Sequence, residues 1–258
     1  MNMTRLWYSL RASLWLHMVR TKRLAPNMLD YSINMSLWAL INVFILYAIY
    51  GPAEGRLLAS SVIPWLYYTI ALATTAGWLT HYTVLGLTPY ELAAGHNPLL
   101  TIAGRIVTSV LPATLASLIV MAIVRPIMSP YVVLATALAL LLGHAYGLLL
   151  AALGASMGVR GTILDILGYA SGLFGGMIIP LRDYPHMFQA LAFLIPPAPI
   201  GEIARMAPHA YQSLTVMPFE VALSSALAWI AILYMLAALA SRRTLAKIRR
   251  EGLRSARL

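Results

Sequence analysis

Gly154-Ala155-Ser156-Met157-Gly158 has the Gly-x-Ser-x-Gly spacing of a nucleophile elbow, in which a sharp strand-to-helix turn exposes a serine hydroxyl for acyl transfer. That chemistry needs the turn and an acid–base partner. Here the five residues close a long apolar run that reads as a helix, and no partner suggests itself, which counts against a membrane-embedded hydrolase using Ser156. The six histidines show no metal spacing such as His-Glu-x-x-His, so no metal site is expected. His144 falls within an apolar run beside Gly143, as a buried structural histidine or as a proton carrier. There is no cysteine, which excludes disulfides, thiolate ligands and cysteine nucleophiles. The only lysines are Lys22 and Lys247 and no Gly-x4-Gly-Lys-Ser/Thr occurs, so the chain cannot cradle ATP phosphates in a P-loop. Neither an enzyme nor a bound cofactor is expected from this chain alone. Asn2-Met3-Thr4 and Asn34-Met35-Ser36 match the glycosylation triplet by chance, the first on the cytoplasmic side and the second at the membrane.

The elements that would hold such residues are set by composition. Of 258 residues, 60% are hydrophobic and 10% are charged, whereas a soluble domain carries about 25% charged residues. Mean hydropathy is +0.78, which excludes a soluble enzyme and a disordered chain. The apolar residues need lipid as their second solvent. The net charge of +10 gathers near the chain ends, so an anionic membrane face explains it better than nucleic acid.

Charges are costly in hydrocarbon, so the stretches without them mark the crossings. These run from Asp30 to Glu54, Arg56 to Glu91, Arg105 to Arg125, Arg125 to Arg160, Asp165 to Arg182 and Glu220 to Arg242. A bilayer core needs about 20 helical residues. All but the fifth are long enough, and there Thr162 and Asp165 resemble a capping box that extends the helix. The expected fold is all-α and integral to the membrane, with spans near 30–50, 57–79, 104–124, 132–155, 163–180 and 220–241. An even number of spans puts both termini on one side. The Arg-rich stretch from Arg5 to Arg23 and the tail from Arg242 to Arg257 place that side in the cytoplasm. Residues 1–29 carry Trp7, Leu10, Leu14 and Met18 at helical spacing. They read as an interfacial cytoplasmic helix, or else as the first turns of span one. Residues 30–241 hold the spans and 242–258 a basic cytoplasmic tail, in one transmembrane domain.

Two connecting segments stand out. Thr88-Pro89-Tyr90-Glu91 is a helix start, with Thr88 as cap, Pro89 in the first turn and Glu91 reaching back. Gly95 and Asn97-Pro98 end it after about two turns. A helix that short must dock, on the membrane surface or on a partner protein through Tyr90 and Leu92. The segment from Pro180 to Phe219 is rich in proline yet apolar between prolines, as expected of a re-entrant helical hairpin dipping into the outer leaflet.

Gly175-Gly176-Met177-Ile178-Ile179-Pro180-Leu181, then Pro185, Phe193-Leu194-Ile195-Pro196, Glu202 and Arg205 resemble the end of span five and the outer loop of type-2 ATP-binding-cassette (ABC) transporter permeases. Gly86-Leu87-Thr88-Pro89-Tyr90-Glu91-Leu92, with Pro98 and Gly104-Arg105, is similar to that family's cytoplasmic coupling helix. Leu87, Pro89 and Pro197-Ala198-Pro199 depart from the family's usual residues. The likeness follows nearly the whole chain in order and spacing. It implies the permease subunit of an exporter in the cell membrane, working with a second permease copy or a related subunit. Two ATPase subunits would carry the ATP and Mg. The coupling contact would then be Thr88, Pro89, Tyr90, Glu91 and Leu92, with Arg160 in a second cytoplasmic turn. Gly176, Pro180, Pro185 and Pro196 would form the outer gate.

Asn34, Trp38 and Asn42 share one face of span one, and span two offers Tyr67, Tyr68, Thr69, Thr74 and Thr75. In the resembled family spans one, two and five of two subunits frame the path, so Asn34, Trp38, Asn42, Tyr68 and Thr75 are its candidates. Hydrogen bonding between helices is the alternative for each. Gly143/Gly147, Gly154/Gly158, Gly168/Gly172 and Gly172/Gly176 place small residues four apart, suiting close helix packing or a lipid-facing surface. No charge falls in the middle of any expected span, unlike an ion-driven carrier, so energy would come from a separate ATPase. A passive channel or an assembly scaffold is the competing reading.

Overall fold

The computed structural model describes residues 3–84, 91, 98–157, 161–206 and 214–251, and it is helical without a strand among them. The helices are α1 (Met3–Leu58), α2 (Val62–Val84), α3 (Pro98–Ala103), α4 (Ile106–Val124), α5 (Pro130–Met157), α6 (Gly161–Phe174), α7 (His186–Leu191), α8 (Ala198–Arg205) and α9 (Phe219–Glu251). Among the described residues four runs are long and apolar enough to cross a membrane: Pro26–Gly77, Thr101–Val124, Pro130–Gly154 and Phe219–Ala246. They point to a membrane-embedded protein.

The first run has 52 residues, and as one straight helix it would extend about 78 Å, more than twice a bilayer core. It is broken at Gly51, whose φ of 77° and ψ of 171° suit only a residue without Cβ. Beyond the break the chain folds back, because a side chain at Gly55 would put its Cβ 2.9 Å from the Tyr47 Cα. A 3-10 turn at Ala59–Ser61 then leads into α2. The run thus divides where the sequence separates 30–50 from 57–79. The expected 104–124, 132–155 and 220–241 fall on α4, α5 and α9.

The stretch expected at 163–180 is different. Helix α6 has 14 residues and stops at Phe174, six short of the expected end. At 1.5 Å per residue that is about 21 Å, less than a bilayer core. The charge-free stretch hid the Gly175-Gly176 break. Gly176 takes φ 72°, and the Met177 amide turns back to the Gly172 carbonyl.

No non-helical residue separates an N-terminal arm from the first crossing; α1 passes Pro26 and stays helical to Tyr50. Its first turns are anchored by their polar side. Ser13 and His17 are buried, while Trp7, Trp15 and Met18 on the other face are exposed.

Helix α2 is the axis of the fold. Nearly all its residues from Val62 to Ala76 are buried, and its neighbours meet it through glycine. A Cβ at Gly143 of α5 would lie 2.3 Å from the Tyr68 carbonyl oxygen, and one at Gly147 would lie 2.7 Å from the Thr75 Cβ. From α6, a Cβ at Gly168 would meet Leu72 at 2.9 Å and one at Gly172 would meet Trp65 at 2.7 Å. Between apolar helices in lipid, this close approach supplies the dispersion contacts that hold them together. Gly143→Ala therefore lowers thermal stability in detergent by about 1–3 kcal/mol through overpacking. Gly77→Ala, where nothing lies within 4 Å, leaves it unchanged or raises it. Differential scanning fluorimetry of the two variants checks both outcomes.

Candidate functional site

Among the described residues three constellations of polar or aromatic side chains stand out: a groove beside α2, a cap at the Gly51 end, and a junction around Thr101.

The groove lies between α1, α2 and α6. Trp38, Asn42, Trp65, Tyr169, Leu173 and Phe174 line a cavity of about 510 Å³. A second cavity of about 360 Å³ lies further from Gly51, lined by Tyr31, Thr69, Leu72, Thr74, Gly168 and Tyr169. Tyr169 borders both. Its hydroxyl reaches the Met35 Sδ at 3.4 Å, and its ring is tilted against Trp65 at 6.4 Å. Of the expected path residues, Trp38 and Asn42 line the larger cavity, and the Asn42 amide donates to the Trp38 carbonyl at 3.0 Å. Asn34 is exposed and borders neither. Tyr68 is buried and shares a 2.7 Å hydrogen bond with the Ser171 hydroxyl, while Thr75 is buried against Gly147. Tyr31, Trp65 and Tyr169 escaped the sequence reading, which favoured polar residue types. Trp65, Thr69 and Leu72 recur at helical spacing, and that periodicity marks the face they share.

At the Gly51 end, α7, α8 and two 3-10 turns form a helical cap over the bundle. Gly176 admits Leu181, whose Cδ2 lies 2.5 Å from where a Cβ would stand. Pro180 is buried, Pro185 starts α7 from an extended conformation, and Pro196 is half-buried. The cap is tied to the rim of the bundle by Tyr50, which donates to Asp183 at 2.6 Å, and by the ion pair of Arg182 with Glu54. The Arg56 Nε donates at 2.8 Å to the Arg125 carbonyl, where α4 ends in a left-handed residue.

Inside the cap lies a fully buried pair, Glu202 and Arg205, one turn apart on α8 with oxygen and nitrogen at 3.8 Å. The Glu202 Oε2 accepts from the Val216 and Met217 amides, and the Arg205 Nη2 donates to the Ser61 hydroxyl at 3.2 Å and the Ile178 carbonyl at 3.4 Å. The two side chains therefore stitch α8 to three separate segments. Burial raises the Glu202 pKa and lowers that of Arg205, while the attraction between them opposes both shifts.

The junction is built on α3. The Thr101 carbonyl accepts from the Ser13 hydroxyl at 2.9 Å and meets the His17 Nε2 at 2.7 Å. The Thr101 hydroxyl donates to the Glu91 carboxylate at 3.2 Å. Two residues on, the Ala103 carbonyl meets the His144 Nε2 at 3.0 Å, and the His144 Nδ1 meets the Tyr234 hydroxyl at 2.9 Å. The carbonyl fixes the proton on Nε2, so Tyr234 donates to Nδ1 and a neutral His144 is satisfied on both nitrogens. Both contacts suit the structural histidine of the two readings. Thr88, Pro89, Tyr90, Leu92 and Arg160 lie outside the described residues, so Glu91 is the one expected coupling residue whose surroundings are seen.

Ser156 belongs to α5, in helical rather than strand–turn–helix surroundings, which removes the elbow geometry. Among the described residues no three His, Asp or Glu side chains gather as metal ligands.

Breaking the buried pair has a defined signature. Glu202→Gln or Arg205→Met alone lowers stability by about 3–5 kcal/mol, because each strands the other's charge. The double variant Glu202→Leu/Arg205→Met loses less than the sum of its parts, as thermal unfolding in detergent will record.

A scan against protein-family models finds no match for the chain, and no curated protein matches it.

Proposed function

We propose that this chain is the permease subunit of an ATP-driven exporter of the type-2 ABC kind. It would cross the cell membrane six times with both termini in the cytoplasm. In this reading the short α6 is the fifth crossing, completed by the Gly175–Pro180 turn, and the cap over α8 is the outer gate. Two copies, or one copy and a related subunit, face each other across the groove. Two ATPase subunits dock below and supply ATP and Mg, and lipid surrounds the whole. Nucleic acid has no part in it.

The observation that supports this best is where the groove lies. It is framed by the first, second and fifth apolar elements, the set that frames the transport path in the resembled family, and none of the described residues that line it is charged. With no Asp, Glu, Lys or Arg in the middle of any expected span to couple an ion gradient, uphill transport needs an external motor. The Thr101 junction supplies a mechanical route for that motor. A push on the loop at Glu91 is passed through Thr101 to α1 by way of Ser13 and His17. Ala103 and His144 carry it on to α5 and α9. These bonds act as a packed two-ended linkage rather than a wire.

The test is retention of an ATPase. Purified from its native membrane, the wild-type chain brings down a nucleotide-hydrolysing subunit, and Glu91→Arg loses it together with ATP-dependent transport. Thr101→Val keeps the ATPase bound but lowers transport per ATP hydrolysed. An intact complex with full transport in Glu91→Arg would overturn the coupling assignment and favour a passive channel or a scaffold.

A further inference from the structure

We propose that Tyr8, Arg11 and Trp15, on the outward face of the first turns of α1, hold the head group of an anionic phospholipid. The inference goes beyond the exporter reading and stands without it. At about 100° per residue the three share one side of the helix. The opposite side carries Ser13 and His17, which are buried against Thr101. With Leu14 and Met18 the three line an open groove of about 660 Å³. Arg11 is exposed there between the two rings.

The neighbouring elements set the depth of this groove. Gly104, near the start of the apolar run of α4, abuts Ser13 and His17. Arg125, past the other end of α4, accepts from Arg56, a few residues beyond Gly51. The 19 residues of α4 extend about 28 Å, whereas a straight α1 would put Ser13 about 57 Å from Gly51. Helix α1 therefore bends without breaking, with Pro26 on the way, and its first turns run aside where the crossing of α4 begins. That level is a membrane boundary. Aromatic rings settle there beside head groups, and an arginine lays its stem on apolar surface while its guanidinium reaches a phosphate.

Charge selects the lipid. Arg5, Arg11, Arg20, Lys22 and Arg23 all precede the first carboxylate, Asp30. Among the described residues no carboxylate forms an ion pair with Arg11. A zwitterionic head brings a cation to its own phosphate, and an anionic head does not, so the arm favours the anionic one. An acidic protein surface would match the charge but not the exposed Trp7, Trp15 and Met18 at this depth.

The experiment titrates the full chain, in neutral detergent micelles, with phosphatidylglycerol or phosphatidylcholine of the same acyl chains. Native mass spectrometry reads the first lipid bound. The expected half-point for phosphatidylglycerol is roughly five-fold below that for phosphatidylcholine. Arg11→Gln brings the two lipids together at an unchanged unfolding temperature, and Arg11→Lys keeps most of the preference. Trp15→Ala weakens both lipids alike. Equal half-points in the wild-type chain overturn the assignment. So does an equal loss from Arg242→Gln, which would make the attraction a diffuse property of the basic surface. Displacement of the lipid by water-soluble glycerol 3-phosphate would mark a site for free phosphate and overturn it as well. No nucleotide or ATPase enters the measurement, so its failure is distinct from failure of the exporter reading.

Discussion

Every other feature of this fold depends on how closely α2 is held. In lipid, apolar helices gain nothing from leaving water, so what joins them is contact at short range. Gly143 and Gly147 bring α5 onto one side of α2, and Gly168 and Gly172 bring α6 onto another. With α2 fixed, the groove has its rear wall, because Trp65 and Thr69 sit on the face left between α1 and α6. The same contact sets the height of His144, one residue beyond Gly143, against α3 and α9.

Polar groups are treated differently at the two ends of the bundle. Around Thr101, backbone carbonyls at the end of a short helix are met by neutral side chains from distant elements, with the Glu91 carboxylate beside them. Around Glu202 and Arg205, two full charges are buried and divided among several segments. The first arrangement joins elements by single hydrogen bonds that can lengthen or shift. The second immobilises α8 on its neighbours, and for two buried charges its worth is the fixed geometry more than net stability. Between the ends, most hydroxyls return to their own helices, as Ser36 and Thr136 do, or pair across helices, as Tyr68 does with Ser171, while those of Thr69, Thr75 and Ser117 do neither.

Much of this could be read from the chain itself. Missing charges located α4, α5 and α9 closely, because hydrocarbon penalises charge whatever the tertiary packing. The same rule overran the end of α6, since glycine rather than charge stops that helix. It also separated an N-terminal arm that is continuous with the first crossing, because Pro26 inside α1 does not break it. The glycine pairs declared α5 and α6 to be packing helices, but no pattern named α2 as what they pack against. In the groove, Trp38 and Asn42 were legible, while Tyr68 and Thr75 were chosen for polarity on faces that turned out to be buried. Tyr169 and Trp65 carried no polar signal. Only helical phase, combined with knowledge of which face stays open, brings them together.

On the proposed reading, a groove with no charge among its described residues, in a glycine-packed bundle, takes its driving force from a separate nucleotide-hydrolysing subunit. The most direct measurement is solute accumulation in sealed vesicles that contain either this chain alone or this chain with the ATPase that co-purifies with it. The account predicts uphill movement on addition of ATP only when both are present. Accumulation against a gradient by this chain alone would contradict it.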